Sequence, residues 1–179
     1  MVCVFLASGF EEVEALTPVD ILRRCELDVQ MVTVGDPVVT GSHGISVVCN
    51  MMADQVDMNE VEAIVLPGGM PGTLNLEASP VLQGIIKTAT QMGIPVGAIC
   101  AAPSILGHMG LLDGKRAVCF PGFENELGQA IYTDEPVVVD GNIITSKGAG
   151  TACQFSFALA EAVAGHDKAA AVRRSIQWQ

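Results

Sequence analysis

Short apolar runs alternate along the chain with segments whose apolar residues recur at helical spacing. The runs are continuous, as is typical of parallel strands that helices cover on both faces. The order of the elements predicts an α/β fold with a flavodoxin-like, doubly wound and mostly parallel sheet. Strands are predicted near residues 2–7, 29–34, 63–67, 95–99, 116–119 and 143–146, and helices near residues 12–25, 79–92, 101–110 and 151–165.

Two added hairpins are predicted where turn residues separate short apolar runs. One turns at Gly41-Ser42-His43-Gly44 and the other at Asp140-Gly141, a dipeptide that favours a two-residue turn. Pro18 lies inside the first helical segment, where a proline lacks the backbone N–H and costs about 3 kcal/mol. We therefore expect either a kink at Pro18 or a helix that begins late.

Composition and charge limit the class of protein. The 179 residues suffice for one domain with a full core, and we treat residues 1–179 as a single domain. A formal net charge of −11 argues against a standing nucleic-acid partner or an anionic membrane. The apolar opening Met1–Leu6 is too short for a signal or a membrane span.

The cysteines indicate a redox compartment. The six cysteines form neither a C-x-x-C pair nor a spacing typical of a metal site. Free thiols in a reducing cytoplasm are the simplest interpretation. We therefore expect a cytoplasmic protein without a bound metal.

The stretch Gly97–Pro103 carries the strongest chemical signal. A short apolar run ends at Cys100, and small residues then lead into a helical pattern. This arrangement is typical of a nucleophile elbow, in which a turn between a strand and a helix exposes a reactive side chain. The N–H groups at the start of the helix would favour the thiolate. A small cysteine buried as packing is the alternative.

Two glycine-containing loops follow other predicted strands and so reach the same edge of the sheet. Gly68 and Gly69 can present backbone N–H groups, which together with the N–H of Ala101 form a candidate oxyanion pocket. A tight turn is the alternative for this glycine pair. The segment Gly148–Thr151 is either a helix start capped by its threonine, which is favoured, or a nest that accepts an anion.

Three glutamates follow the first predicted strand. Glu11 and Glu12 suit the first turn of a helix, where acidic side chains complement the dipole. Glu14 differs because it begins the face that must be buried. A buried carboxyl needs a partner or a proton.

Four motifs now converge on one family. In chain order they are Glu-Glu-x-Glu, Leu-Pro-Gly-Gly, Ala-Ile-Cys-Ala-Ala-Pro and Thr-Ser-x-Gly-x-Gly-Thr. With them the chain resembles the ThiJ/PfpI superfamily almost end to end. Within this superfamily it resembles the branch of the parkinsonism-associated protein deglycase and its bacterial YajL-like relatives. The resemblance implies that Cys100 is the reactive cysteine and that the protonated carboxyl of Glu14 hydrogen-bonds to it. It implies that Gly69 and Ala101 are backbone donors. It also implies a flavodoxin-like fold and a homodimer joined by the first helix and the first hairpin.

The implied pair has a physical consequence. An ionised carboxylate would raise the pKa of a neighbouring thiol, so a reactive thiolate requires Glu14 to be protonated and donating. The two groups then titrate as a unit. We expect the pKa of the Cys100 thiol to be well below that of a free thiol and the pKa of Glu14 to be raised.

One position departs from many family members. Those that carry a histidine near the cysteine place it after the strand that follows the elbow helix, where this chain has Phe120. His108 does not replace it, because eight residues of helix span about 12 Å. His166 is expected to be a solvated cap after the last long helix. His43 lies in the first hairpin, near the pocket rim, where relatives carry an arginine. A Cys–His protease or amidotransferase mechanism is therefore disfavoured. The candidate pocket residues are Gly68, His43, Phe120 and Gly150.

The favoured function is cofactor-independent chemistry on a small reactive aldehyde. Cys100 would attack the carbonyl of an α-oxoaldehyde such as methylglyoxal, or of its early adduct on a protein or nucleotide, as a glyoxalase or deglycase does. The alternative is a non-enzymatic redox sensor or chaperone whose Cys100 is oxidised to sulfinate.

Overall fold

The computed structural model describes residues 1–178 and contains the predicted α/β sandwich. The strands are β1 Val2–Leu6, β2 Val29–Thr33, β3 Val38–Thr40, β4 Ser46–Val48, β5 Met51–Met52, β6 Ala63–Leu66, β7 Val96–Ile99, β8 Arg116–Ala117, β9 Ile131–Tyr132, β10 Val137–Asp140 and β11 Ile143–Ser146. The α-helices are α1 Glu12–Arg24, α2 Gly72–Glu77, α3 Pro80–Gln91, α4 Pro103–His108, α5 Ala152–Ala164 and α6 His166–Ser175.

The central sheet has seven strands in the order β10-β11-β7-β6-β1-β2-β5. All neighbours in it are parallel except β10 and β11. Strands β2, β1, β6, β7 and β11 therefore follow the doubly wound order of flavodoxin-like folds, in which the chain reverses direction between β1 and β6. The predicted fold class is confirmed.

Helices cover both faces of this sheet, and β1 shows how the sequence separates the two cores. Cys3 and Phe5 pack with α2, α3 and α4 on one face. Val2, Val4 and Leu6 pack with α1, α5 and α6 on the other. All five residues of β1 are fully buried, which explains why the strands are uniformly apolar.

Both predicted hairpins are present, as β3–β4 and as β10–β11. The late start of the first helix is wrong, because α1 begins at Glu12 and contains a buried Pro18. Proline lacks the N–H that would bond the carbonyl four residues earlier, so the carbonyl of Glu14 has no intrahelical donor from position 18.

The strand expected near 116–119 does not join the central sheet. Arg116–Ala117 pairs instead with Ile131–Tyr132 in a separate two-stranded sheet. The edge of β11 is already taken by β10, and the N–H of Val118 donates to Oγ1 of Thr145 at 3.0 Å rather than to a ladder. A hairpin neighbour close in sequence therefore displaces the predicted strand.

The helices also differ from the prediction at one boundary and by two additional helices. The elbow helix α4 begins only at Pro103, and α2 and α6 were not predicted. Gly165, with φ of 84°, ends α5, and His166 begins α6 with its side chain 80% exposed. His166 is solvated as expected but starts a new helix. Across residues 1–178, no helix combines the length and apolarity needed to cross a bilayer.

Candidate active site

Cys100 follows β7 directly and has φ of 66°. A non-glycine residue in this left-handed region costs about 1–3 kcal/mol and is typical of a nucleophile elbow. The strained turn is held on both sides: the N–H of Cys100 donates to the carbonyl of Ser146 at 2.9 Å, and its carbonyl accepts from the N–H of Phe120 at 2.8 Å. The predicted elbow geometry is present, with a half-buried sulfur at the carboxyl edge of the sheet.

Helix α1 places Glu14 beside this sulfur. Glu14 is 1% exposed, and its Oε2 accepts from the N–H of Gly68 at 2.9 Å. Its carboxyl also lies beside the Cys100 thiol and the backbone N–H of Ala149, both of which lower the pKa of Glu14. One carboxyl therefore joins α1 to the loops after β6, β7 and β11.

The loop after β6 approaches the pair too closely for any side chain. A Cβ on Gly68 would lie 2.7 Å from Cβ of Cys100 and 2.8 Å from Oε2 of Glu14. The backbone N–H groups of Gly69 and Ala101 face the sulfur of Cys100 and lower the pKa of its thiol. The predicted backbone donors thus converge on the sulfur itself, where they stabilise negative charge.

Burial raises the pKa of Glu14 to about 7, although hydrogen bonds from Cys100 and the Gly68 N–H act in the opposite direction. The predicted direction for Glu14 is confirmed. A carboxyl with this pKa exchanges its proton near neutral pH, which suits a group that both accepts and returns protons.

The predicted lowering of the Cys100 pKa is wrong for the thiol taken alone. Burial, and then the charge of Glu14 and its hydrogen bond, raise the pKa of Cys100 to about 12 against the N–H groups of Ala101 and Gly69. Helix α4 has only six residues and starts at Pro103, so its dipole is too small to offset burial. The pair therefore loses its first proton near neutrality, and the Glu14 carboxylate that results can accept the thiol proton of Cys100.

A shallow groove of about 280 Å³ is lined by Phe120, Pro121 and residues 147–151, of which Gly148 lies near Glu14. The ring of Phe120 is 47% exposed and covers Gly148, on which a Cβ would lie 3.2 Å from the ring. Gly150 lies on the open wall, with nothing within 4 Å of its Cβ position. Two of the predicted pocket residues therefore line the approach to Glu14.

The histidines engage carboxylates rather than the thiol. Nδ1 of His43 lies 3.0 Å from Oε2 of Glu12, and its side chain is 69% exposed. His108 is held between Glu77 at 2.5 Å and Glu126 at 2.9 Å. His43 thus belongs to the hairpin rim and not to the Cys100–Glu14 pair of its own chain.

Two residues with clear contacts were missed from the sequence. The segment Gly148–Thr151 is a helix start, as favoured, and Thr151 occupies the N-cap position of α5, but its hydroxyl bonds Ser146 at 2.6 Å instead of capping the helix. The backbone N–H of Ala149 lowers the pKa of Glu14. Glu12 is 4% exposed and accepts from the backbone of His43 at 2.8 Å. Nothing in the sequence separated Glu12 from an ordinary first-turn acid.

The packing at Gly68 gives a testable expectation. In Gly68→Ala the added methyl must displace Cys100 and Glu14, so we expect a loss of about 1–3 kcal/mol in stability and slower alkylation of Cys100. Gly84→Ala is the matched control, because Gly84 lies in α3 with nothing within 4 Å of its Cβ position, and it should stabilise by about 0.5–1 kcal/mol. Urea unfolding and iodoacetamide kinetics measure both, and equal behaviour of the two variants would contradict the assigned contact.

Residues 1–162 match the DJ-1/PfpI family. The chain belongs to this family. The DJ-1/PfpI match covers every element that carries Cys100, Glu14 and the backbone donors around them, so the elbow and its partner carboxyl lie within the matched region.

Relatives in the DJ-1/PfpI family include named enzymes. The chain is 32% identical to the glutathione-independent glyoxalase DJ-1 of Schizosaccharomyces pombe, over 98% of this chain and 97% of that protein. It is 34% identical to a deglycase of Pyrococcus abyssi, over 82% of this chain and 89% of the other. Protein DJ-1 homolog B of Arabidopsis thaliana is 35% identical over 93% of this chain, which spans only 39% of that longer protein.

Solved structures agree with this family assignment. Oxidized DJ-1 of Toxoplasma gondii superposes with a TM-score of 0.94 at 32% identity, covering 99% of this chain and 97% of that one. The DJ-1/PfpI fold therefore extends across nearly the whole length described above.

Proposed function

We propose that this chain is a cysteine-dependent glyoxalase or deglycase that acts on α-oxoaldehydes or on their early adducts. The observation that carries the proposal is the adjacent Cys100 and Glu14 at a strained elbow, where the backbone N–H groups of Gly69 and Ala101 lower the pKa of the thiol. The names of the relatives from S. pombe and P. abyssi support the same substrate class.

The first step forms a carbon–sulfur bond. Glu14 takes the thiol proton as the sulfur of Cys100 attacks the aldehyde carbon, and it then returns that proton to the oxygen, giving a hemithioacetal. The N–H groups of Gly69 and Ala101 remain beside the negative charge as it moves from sulfur to the adjacent oxygen. The single charge of the pair is therefore conserved through the attack.

The second stage releases the product. Glu14 carries the proton of the former aldehyde carbon to the neighbouring carbon, and the proton of the hemithioacetal hydroxyl passes to the ketone oxygen. This rearrangement, by way of an enediol, turns the hemithioacetal into a thioester of a 2-hydroxy acid. Water then hydrolyses the thioester, so that methylglyoxal and water become lactate and the thiol is restored. The buried carboxyl with a pKa of about 7 serves as base and acid in turn, which replaces the histidine absent at Phe120.

The direct test is turnover by the reduced chain without glutathione. Lactate formation from methylglyoxal, followed by NMR, should exceed the molar amount of protein many times over. A second assay separates the removal of adducts from the scavenging of free aldehyde. It supplies a preformed methylglyoxal adduct of a model thiol and compares its decay with that of an equal concentration of free aldehyde. Absence of lactate beyond one equivalent would defeat the proposal.

Redox sensing is the second candidate, and the oxidized form of the T. gondii relative favours it. The donors that surround the sulfur of Cys100 could equally stabilise a sulfinate, with Glu14 donating to one of its oxygens. In this case peroxide would add two oxygens to Cys100 stoichiometrically, as intact mass would show, and methylglyoxal would not be turned over.

We also propose that the chain forms a homodimer through α1 and the β3–β4 hairpin. An apolar depression of about 440 Å³ lies there, lined mainly by Val13, Leu16, Ile21, Ile45 and Ile176. Val13 is 49% and Ile45 53% exposed, and such a patch beside a helix is typical of an interface.

A charge at the centre of this surface tests the dimer. Val13→Asp should convert a dimer to a monomer in sedimentation equilibrium, because an unpaired carboxylate would be buried at the interface. Val139→Asp is the matched control: Val139 is 55% exposed on the edge strand β10, far from the proposed interface in the sheet order. A parent chain that sediments as a monomer would contradict the proposal.

A further inference from the structure

The ring of Phe120 lies close to the carboxyl of Glu14, beside the backbone of Gly148. A Cβ on Gly148 would lie 3.2 Å from Cδ2 of Phe120 and 3.7 Å from Oε1 of Glu14. Both atoms are therefore within 4 Å of a single point on this loop. The backbone also joins Phe120 to the elbow, because its N–H donates to the carbonyl of Cys100 at 2.8 Å. A group bound against this ring is thus a neighbour of the Cys100–Glu14 pair.

The groove that Phe120 lines has more room than a methyl group needs. Its volume is about 280 Å³, and residues 147–151 line it together with Phe120 and Pro121. Gly148, Ala149 and Gly150 carry no side chain larger than a methyl group, and nothing lies within 4 Å of a Cβ on Gly150. Sites of about 300–1,000 Å³ hold ligands of drug size. The groove can therefore accept a substituent much larger than that of methylglyoxal.

The lining of the groove suits a flat, uncharged substituent. The side chain of Phe120 is 47% exposed, so part of its ring is open to a ligand. The ammonium of Lys147 forms an ion pair with Asp134, which offsets its charge. Aromatic rings bind one another in offset or edge-to-face arrangements that add to the burial of their apolar surface. An aryl ring therefore fits this wall better than an anionic group does.

The proposed chemistry brings the variable part of the substrate to the same place. In the hemithioacetal on Cys100, the substituent of the ketone carbon begins three bonds from the sulfur, about 4 Å away. Glu14 lies beside the same two carbons, because it carries the proton from one to the other. A substituent that continues past Glu14 reaches Gly148 and the ring of Phe120.

The groove is distinct from the surface assigned to the dimer. Within residues 1–178, the residues that line the groove and those that line the depression at α1 do not overlap. The groove is built from the loops after β8 and β11, whereas the depression lies between α1, Ile45 and Ile176. An aryl site does not compete with the proposed dimer for these side chains.

We propose that Phe120 is a specificity-determining residue that favours aryl-substituted α-oxoaldehydes over methylglyoxal, with the aryl ring held in the groove against its side chain. The inference rests on the proposed function and names its substrate class. Phenylglyoxal and water become mandelate through the same carbon–sulfur bond, proton transfers and thioester hydrolysis, so no further reactant is needed.

Turnover of two aldehydes tests this preference. The two differ in intrinsic reactivity, so the measured quantity is the ratio of kcat/KM for phenylglyoxal to that for methylglyoxal. Phe120→Ala should lower this ratio at least about fivefold, mainly through a higher KM for phenylglyoxal, and Phe120→Tyr should restore it. Met92→Ala is the control, because Met92 is 53% exposed and precedes β7, at the sheet edge opposite Cys100. Equal ratios in the parent and a folded Phe120→Ala would overturn the proposal.

Alkylation of Cys100 tests the aryl site without turnover. Iodoacetanilide carries an aryl ring that iodoacetamide lacks, and mass spectrometry of the Cys100 peptide gives the rate constant for each reagent. The ionisation of the thiol affects both reagents alike and cancels in their ratio. This ratio should be at least about threefold higher in the parent than in Phe120→Ala. Equal ratios would overturn the aryl site, whereas unequal ratios without lactate formation would defeat the aldehyde chemistry and still support the aryl site.

Discussion

Cys100→Ser is expected to lower kcat/KM for lactate formation from methylglyoxal at least about a thousandfold, because the variant lacks the sulfur that forms the carbon–sulfur bond in the proposed mechanism. A hydroxyl at this position is a far weaker nucleophile, and a carboxyl with a pKa of about 7 cannot deprotonate it effectively. NMR of the product with reduced, matched protein samples measures the loss.

The control for this experiment is another partly buried thiol. Cys49 lies after β4, and its N–H donates to the carbonyl of Pro37, outside the groove beside Glu14. Cys49→Ser should retain the parent rate. If Cys100→Ser also retains it while remaining folded, the sulfur at the elbow is not the nucleophile.

Glu14→Gln should change the pH dependence of the thiol more than any other single substitution. In the parent, the rate of alkylation of Cys100 should rise through pH of about 7, where the pair loses its first proton. In the variant no carboxylate accepts the thiol proton, while burial still holds the pKa of Cys100 above its ordinary value of 9.0. The rise should therefore move to alkaline pH, and turnover at pH 8 should fall about a hundredfold or more.

The same variant carries a stability signature with a definite sign. Folding raises the pKa of Glu14 from 4.5 to about 7, so the folded state binds the proton more tightly. The stability from this proton is complete below pH of about 4.5, is lost as pH rises to about 7, and amounts to about 3 kcal/mol in the parent. Glu14→Gln should lack this decline.

Urea unfolding at pH 4.5 and pH 8 measures the decline. Glu62→Gln, which alters an exposed acid at the opposite end of the sheet, should keep the pH dependence of the parent. If the parent and the Glu14→Gln variant lose stability in parallel between pH 4.5 and pH 8, folding does not raise the pKa of Glu14. This result would contradict the role assigned to its burial.

The hydrophobic pattern predicted the sheet well where strands are buried on both sides. Val2–Leu6 and Ala63–Leu66 are continuous apolar runs because helices cover both faces of the sheet. The pattern failed at residues 116–119. A short apolar segment does not reveal whether a hairpin strand already pairs with the sheet edge that the segment would join.

The candidate site was predictable to the extent that it depends on local backbone. The small residues around Cys100 and the pair Gly68-Gly69 identify turns that approach one another, since larger side chains would collide there. The burial of Glu12 was not predictable, because it depends on where the β3–β4 hairpin folds back onto α1. Its neighbour Glu11 has the same side chain and remains more exposed.

By itself, the sequence determined the order of strands and helices, the elbow at Cys100 and the burial of Glu14, because each follows from the periodicity or size of nearby residues. Only the tertiary structure decided the ionisation of the Cys100–Glu14 pair and the meeting of Glu11 and Glu12 with His43. Both depend on distances between segments far apart in the chain, and electrostatic energies change steeply with distance and with exclusion of water.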